Sequence, residues 1–399
     1  GKRSRQNRVL AGRNAADQKR QQDDGKSTVD QEILSASACR ARAAAKMSLQ
    51  PTVRVVCTLL LALAAAELCV LLRTPIPWMI GPLLATAVAS ILNLPTRSWA
   101  PLRNAGQWTI GTALGLYFTP QVTALVGSLW WAIVLGIVWA LALGWAFGLW
   151  LHRGHAHAFG GTPRQQRATS YFAGAIGGAS EMTLLAEREG ARTDLVAAAH
   201  SLRLLVVVLV IPFAFSFSGL QGIDLTPPGP REAHWPGFGL LALATGAGAL
   251  VMRWLGRANP WFMGALVVSM GLTMASVNLS AIPQWMTNAA QLVIGVSLGV
   301  RFSAQFLHTA PRWLGAVALG TVVMIVLCSG FAWALSAGTG LHPATMILGT
   351  SPGGIAEMAI TAKVLQLGVP VVTAFQVCRL VAVLVLVEPL FGWAARTGR

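Results

Sequence analysis

Long apolar runs constrain this sequence more than any other feature. Residues 53–72 and residues 130–151 each form a stretch of about 20 residues with hardly a charge, and a helix of that length crosses a hydrocarbon core roughly 30 Å thick. Only 11% of the residues are charged, whereas a soluble domain carries about 25%. The sequence therefore predicts an all-α integral membrane protein rather than two or three soluble domains.

The formal net charge of +16 does not indicate a nucleic-acid partner, because the charge is spread between apolar runs. Residues 1–46 carry 11 Lys and Arg and 5 Asp and Glu, a net +6 that leaves +10 for the remainder. This first segment has no apolar core of a signal peptide. We interpret it as a polar, basic, disordered tail or an upstream extension, with Met47 as the natural start.

The rest of the sequence contains two copies of one unit. Three ordered groups of residues recur at offsets of 183, 184 and 176 positions, a pattern that indicates duplication. The matched groups are Pro77-Trp78-Met79-Ile80-Gly81 with Pro260-Trp261-Phe262-Met263-Gly264, Ala105-Gly106-Gln107 with Ala289-Ala290-Gln291, and Gly177-Gly178-Ala179-Ser180-Glu181-Met182 with Gly353-Gly354-Ile355-Ala356-Glu357-Met358. We therefore predict a first membrane repeat over residues 47–220, an inter-repeat loop over 221–236 and a second repeat over 237–399.

Loop charges predict that the two repeats are inverted. In the first repeat, Arg follows the second and fourth apolar segments, whereas in the second repeat it follows the first and third. Basic loops lie in the cytoplasm, so each repeat must cross the membrane an odd number of times. Of six apolar segments per repeat, the fifth (residues 168–187 and 342–362) is interrupted by Gly-Gly and is predicted to be broken and re-entrant. This gives about ten transmembrane helices in two inverted repeats of five, with both termini cytoplasmic. Twelve crossings in parallel repeats are the alternative.

The two Gly-Gly-x-x-Glu-Met elements are the strongest candidates for a binding site. Glycines allow the backbone to leave the helix and approach a ligand, and an ionisable group at membrane depth is usually functional. An arginine lies 22 residues after each glutamate, either as a counter-charge in the site or as a structural ion-pair partner. A glutamine in each repeat serves either helix packing or ligand contact. The candidate substrate- or ion-binding residues are Gly177, Gly178, Ser180, Glu181, Gly353, Gly354, Glu357, Arg203, Arg379, Gln107 and Gln291.

No pattern of catalytic or metal-binding residues emerges from the sequence. The three histidines of the run from His152 to His157 have no flanking carboxylate or cysteine, and we interpret them as part of a solvated basic loop. No Ser/His/Asp arrangement, phosphate loop or haem motif is found. We therefore expect no catalytic residue, no metal, no cofactor and no enzymatic activity.

Residues 77–83, 174–182 and 351–358 resemble the AbrB family of bacterial membrane proteins, a similarity that covers residues 50–395. The resemblance implies a duplicated, multi-pass protein of the bacterial inner (cytoplasmic) membrane. Members are described as transporter-like, as regulators of gene expression or as ammonia monooxygenases. A copper oxygenase needs converging histidines and carboxylates, which this sequence does not offer. A soluble DNA-binding regulator shares the family name, and the sequence does not resemble it.

These observations favour a transporter that moves a small solute by alternating access between the two broken segments. Glu181 and Glu357 would be the proton- or cation-coupled carboxylates, with Arg203 and Arg379 as counter-charges. The alternatives are a membrane-bound sensor or regulator of gene expression and, third, a subunit of a monooxygenase. The expected partners are the lipid bilayer and a small molecule or ion, with a homo-oligomer left open and no nucleic acid.

Overall fold

The computed structural model describes residues 51–156, 160–219, 233–257, 259–302 and 311–397, and of Ser180 and residues 394–397 it describes only the backbone. The predicted tail (1–46) and most of the predicted inter-repeat loop (221–236) lie outside these residues. Every regular element in the described ranges is helical. The first repeat comprises α1 (Pro51–Leu71), α2 (Pro77–Ile91), α3 (Ala100–Gly115), α4 (Pro120–Ser128), α5 (Trp130–His155), α6 (Pro163–Gly174), α7 (Ala179–Arg188) and α8 (Thr193–Ser218). The second comprises α9 (Trp235–Trp254), α10 (Pro260–Met274), α11 (Gln284–Gly299), α12 (Pro311–Thr339), α13 (Pro343–Thr350), α14 (Ile355–Val364) and α15 (Val369–Thr397).

Six of these helices, α1, α5, α8, α9, α12 and α15, are long and apolar enough to cross a membrane. Large aliphatic and aromatic side chains are exposed along them, Leu243 and Val326 among them, as lipid-facing surfaces require. The prediction of an all-α membrane protein is confirmed. Four shorter helices, α2, α3, α10 and α11, have 15 or 16 residues, about 24 Å at most. Of these four, α2 and α10 are apolar, and the number of ten crossings stays a prediction.

The predicted fourth apolar segment of the first repeat is two helices rather than one. The backbone N–H of Leu129 bonds to the carbonyl of Val126, three residues back, and this tight turn ends α4 before α5 begins. Gly127 and Ser128 directly precede the turn, but the apolar residues on both sides of them led to the prediction of one continuous segment.

Backbone conformation repeats with the sequence. Six non-glycine residues in the described ranges have positive φ, a conformation that only a few per cent of non-glycine residues adopt. Each has a repeat equivalent that also has positive φ: Arg73 with Gly256, Ile76 with Asn259, Asn93 with Ser276, and Gly190 with Gln366. The β-branched Ile76 is fully buried and strained in this conformation. The two copies therefore share their fold down to single turns.

The packing of α5 against α12 shows that the repeats are inverted. These helices belong to the fourth apolar segments of their repeats, and they run antiparallel: Trp139 stacks on Phe331 with ring centroids 4.7 Å apart. Towards one end Phe147 faces Gly320, and towards the other Trp131 faces Gly338. Because equivalent helices run in opposite directions, the two repeats have opposite orientations, as the loop charges predict.

The repeats also interlock through their short helices. Gly111 and Gly115 of α3 pack against the backbone of α10, and Gly295 and Gly299 of α11 pack against the backbone of α2. A Cβ atom at any of these four positions would overlap the facing helix. Close approach of small residues is the usual way in which helices associate in membranes. The third helix of each repeat is thus held by the second helix of the other.

The broken segments pack against the long helices. The first pair, α6 and α7, packs against α5 and α8, and the second pair, α13 and α14, packs against α12 and α15. Buried residues of α14 also share a hydrophobic core with α3 and α11, including Ile110 and Ile294. Buried residues of α6 and α7 belong to a separate core with α5 and α12. The second broken segment therefore lies against the short helices.

Candidate functional site

Each predicted Gly-Gly interruption is a break between two helices. The chain is extended from Ala175 to Gly178, between α6 and α7, and from Ser351 to Gly354, between α13 and α14. None of these residues has a positive φ, so the glycines are not required by an unusual backbone conformation. Another property of glycine must account for them.

The missing side chains make room for the glutamate and methionine of the same motif. The Met182 side chain lies against Gly177, and a Cβ atom at Gly178 would overlap Oε2 of Glu181. In the second repeat, Met358 lies against Gly353, and a Cβ atom at Gly354 would overlap Oε2 of Glu357. The motif is therefore one packed unit in which each glycine supports one downstream side chain. The side chain of Ser180 lies outside the described part of the structure.

The two arginines bind the backbone of the breaks. The Nη1 atom of Arg203 donates to the carbonyl of Ala175 at 2.9 Å and, at 3.5 Å, to that of Gly174, and Nη2 donates to the carbonyl of Gly177 at 3.5 Å. In the second repeat Arg379 donates to the carbonyl of Ser351 and, at 2.8 Å, to that of Gly353. These carbonyls have lost their helical partners, and a cation at a helix C-terminus also interacts favourably with its dipole.

A second side chain completes each arginine contact. His200 accepts from Arg203 through Nδ1 at 2.7 Å and bonds to the carbonyl of Phe172 through Nε2 at 2.9 Å. Because guanidinium has no acceptor, the ring must be neutral with its proton on Nε2. Gln376 replaces it in the second repeat, bonding to the Leu348 carbonyl and accepting from Arg379 at 2.6 Å. Both ring nitrogens of His200 are therefore engaged, Nδ1 as acceptor and Nε2 as donor, which favours a structural role for this residue.

Neither glutamate pairs with its arginine. The three ion pairs in the described ranges join Arg164 to Glu189, Arg188 to Glu388 and Arg192 to Asp194. Glu181 and Glu357 instead lie in the first turns of α7 and α14, where free N–H groups and the helix dipole stabilise a carboxylate. The glutamate therefore stabilises the free N–H groups at the start of the second half-helix. The arginine binds the free carbonyls at the end of the first half-helix.

Gln107 and Gln291 lie on α3 and α11, away from the broken segments in the chain. Gln291 is 3% exposed, and neither amide has a hydrogen-bond partner in the described part of the chain. The amide of Gln291 therefore keeps its hydrogen-bonding groups available to a ligand. Within the described residues, neither glutamine forms the hydrogen bond between helices that was its other predicted role.

Comparison with known proteins identifies the family of this chain. The model of the family described as "Transition state regulatory protein AbrB" matches residues 78–395. The chain belongs to the AbrB family. An AbrB-family relative in Bacillus subtilis (strain 168), "Uncharacterized protein YhjN", is 25% identical over 79% of this chain and 86% of its own. In Escherichia coli (strain K12), "Putative regulator AbrB" is 26% identical over 82% of this chain and 92% of its own. No solved structure matches the chain.

In this AbrB-family protein the two equivalent sites differ in exposure. Residues 355–362 of α14 are all buried, and Glu357 is 8% exposed. On α7, Glu181 is only partly buried, and Leu184 is 52% exposed whereas its equivalent Ile360 is 1% exposed. The same motif thus occupies a closed environment in one repeat and an open one in the other.

Sequence reasoning did not assign His200, Gln376 and the two motif methionines to the site. The repeat alignment pairs His200 with Gln376 three residues before each arginine, a spacing of one helical turn that is the available signal. The predicted loop histidines His152 and His155 lie at the end of α5, and His157 lies outside the described residues. Within the described ranges no three His, Cys, Asp or Glu side chains gather in the manner of a metal site.

Proposed function

We propose that this AbrB-family protein is a secondary transporter that moves a small solute across the bacterial inner membrane by alternating access. The observation that carries the proposal is the unequal burial of two equivalent broken segments, α7 and α14. Inverted-repeat transporters bind their substrates at discontinuous helices near the repeat interface. Such a structure supports two states of similar energy, because each repeat can adopt the conformation of the other.

The unequal burial of the two broken segments indicates how the two states of the transporter would differ. In the state seen here, the second segment is closed against α3 and the first is open. Exchange of the two conformations would open the second and close the first. Since the repeats are inverted, the exchange would move the opening to the opposite side of the membrane. We place both termini in the cytoplasm on the basis of the loop charges.

Glu181 and Glu357 are the groups that we assign to coupling. Each carboxylate lies at a break in the membrane interior, without an ion pair, and can take up a proton or bind a cation. Arg203 and Arg379 hold the breaks in place, and the glycines at residues 177–178 and 353–354 make room for the glutamate and methionine of each motif. The proposal requires no catalytic residue, metal or cofactor.

Transport by purified protein in proteoliposomes tests the proposal. We expect Glu181→Gln and Glu357→Gln to abolish uptake of a solute that the wild type accumulates, because neither amide carries a titratable charge. Glu187→Gln is the matched control, since it alters an exposed carboxylate on the same helix as Glu181. Uptake that is unchanged in the first two variants would rule out their role in coupling.

A membrane-bound sensor or regulator is the second candidate, and the name of the Escherichia coli relative favours it. A sensor binds its ligand without moving it. A solute that raises the melting temperature of the purified protein, but shows no flux in sealed vesicles under any ion gradient, would favour this function over transport.

A further inference from the structure

An apolar groove lies between α1 of the first repeat and α11 of the second. Its volume is about 440 Å³, and its lining includes Val56, Leu60, Leu63, Trp78, Leu102 and Leu292. Helix α1 is long and apolar enough to cross the membrane, and Leu60 and Leu63 are exposed on it. The groove therefore opens to the hydrocarbon of the bilayer, where acyl chains rather than water are available to fill it.

The groove reflects a difference between the two repeats. Ala62 of α1 and Leu292 of α11 are buried in one small cluster. Their repeat equivalents are Thr245 of α9 and Trp108 of α3, and Nε1 of Trp108 donates to Oγ1 of Thr245 at 3.0 Å. An indole ring thus bridges α3 and α9, whereas the smaller Leu292 leaves space between α11 and α1. The groove is therefore not a consequence of the fold that the repeats share.

A head group is needed if the groove is to select one lipid, because all acyl chains are equally apolar. The loop before α3 brings a cation to the groove. The backbone N–H of Arg97 donates to Oγ1 of Thr58 at 3.0 Å, and Thr58 lies on α1 between the lining residues Val56 and Leu59. This contact fixes Arg97 beside the groove, and its side chain is exposed.

A second cation lies on α3 at the same place. Arg103 directly follows the lining residue Leu102, and both lie one turn before Gly106, where α3 approaches the backbone of Ala290 on α11. Arg103 is half-buried, and its Nε atom has no acceptor within the described residues. Guanidinium groups bind phosphate through paired hydrogen bonds. The groove therefore combines an apolar channel with two phosphate-binding side chains at its border.

We infer that this groove binds one anionic phospholipid of the cytoplasmic leaflet. One acyl chain would lie between α1 and α11, and Arg97 and Arg103 would bind the phosphate. The charge pattern places the loop that contains Arg97 in the cytoplasm, and basic residues at that surface attract anionic lipids. The bound lipid would join helices of both repeats. This inference does not depend on transport.

Native mass spectrometry of the purified protein in detergent tests the inference, because it counts the lipids bound to each chain. Phosphatidylglycerol and phosphatidylcholine with the same acyl chains are added in turn. We expect one phosphatidylglycerol to bind roughly tenfold more tightly than phosphatidylcholine, since a basic residue at the membrane surface contributes about a factor of five. Arg97→Gln and Arg103→Gln should each weaken its binding roughly fivefold.

Leu292→Trp tests the groove itself. The indole should fill the space as Trp108 does in the other repeat, and the tightly bound lipid should be lost although both arginines remain. Two variants are matched controls that should bind phosphatidylglycerol like the wild type. Arg257→Gln removes an exposed arginine of another loop, and Leu243→Trp adds an indole at the exposed repeat equivalent of Leu60.

The inference is wrong if the wild type binds the two lipids with equal affinity, or if Arg103→Gln binds phosphatidylglycerol as the wild type does. An equal loss in Arg257→Gln would also overturn it, because the attraction would then depend only on net charge. Tight binding that persists in Leu292→Trp would place the lipid elsewhere. If Leu292→Trp shows no cooperative melting transition, Leu63→Trp fills the groove from its α1 side, and persistence of the lipid there would be equally damaging.

Discussion

Replacement of Arg379 by glutamine tests whether this arginine stabilises the broken segment or binds the solute. In the structure its guanidinium group donates to the carbonyls of Ser351 and Gly353 and to Oε1 of Gln376. Glutamine is too short to restore all three contacts. The variant would leave the carbonyls of a buried break without their donor, so we expect a less stable protein.

The loss can be estimated from the number of contacts. Three hydrogen bonds at a net value of about 1 kcal/mol each give a destabilisation of about 3 kcal/mol. Polar contacts inside membrane proteins average about 0.6 kcal/mol, which lowers the figure to about 2 kcal/mol. Stability changes shift the melting temperature by about 2 °C per kcal/mol in long chains, so we expect Arg379→Gln to melt about 4–6 °C below the wild type.

Arg203→Gln is the matched comparison. Arg203 has two short contacts, to Ala175 and His200, and two at 3.5 Å. We therefore expect the Arg203 variant to lose less stability than the Arg379 variant, by about one hydrogen bond, or about 1 kcal/mol. Arg379→Lys should lie between Arg379→Gln and the wild type, since lysine keeps the charge and loses the planar fork.

Thermal unfolding in detergent, followed by tryptophan fluorescence, measures these differences. If Arg379→Gln melts with the wild type and yet loses ligand binding, the arginine contacts the solute rather than holding the break, and our interpretation of the carbonyl contacts is wrong. If both arginine variants lose the same stability, the contact lengths do not determine their contributions.

Three further predictions concern the broken segments. Gly354→Ala places a methyl group where the Glu357 carboxylate lies, so proteoliposome uptake should fall about tenfold, because a group displaced by ~1 Å loses much of its interaction, while the protein still folds. In a cysteine-free background, Leu184→Cys should react with N-ethylmaleimide far faster than Ile360→Cys, since the first position is open and the second closed. Tyr171→Phe removes a 2.9 Å hydrogen bond to a carbonyl of α15 and should lower the free energy of unfolding by about 1 kcal/mol, measured by thermal melting.

Each of these has its own check. Gly271→Ala introduces a methyl group with no neighbour within 4 Å, and uptake reduced equally in both alanine variants would contradict the first prediction. Equal labelling of the two cysteines would show that the difference in burial does not persist in the membrane. An unchanged melting temperature in Tyr171→Phe would mean that water or another group replaces the lost contact.

The sequence predicts the breaks and the inversion because both depend on residue types at particular positions. Gly-Gly pairs mark the two points at which a helix stops, and the arginines of the short loops give the orientation of each repeat. The turn at Leu129 is less clearly signalled, because one glycine, Gly127, and Ser128 precede it within a long apolar run, and a backbone contact to Val126 forms it.

The partners of Arg203 and Arg379 could not be predicted from spacing alone. A separation of 22 residues from each glutamate is compatible with an ion pair, and the carbonyls that the arginines bind become available only when the chain breaks. The unequal burial of Leu184 and Ile360 is also beyond the sequence, since two equivalent motifs give no reason for different environments.

The interlocked short helices have a consequence for biosynthesis. When the ribosome has completed the first repeat, Gly111 and Gly115 of α3 have no surface to pack against, because α10 has not yet been made. The same is true of the face of α2 that receives Gly295 and Gly299. The first half therefore remains in the bilayer without the contacts of α2 and α3 to the second half. These contacts form only when the second half has been inserted in the opposite direction. Two separately expressed halves would each need the other to acquire their final packing.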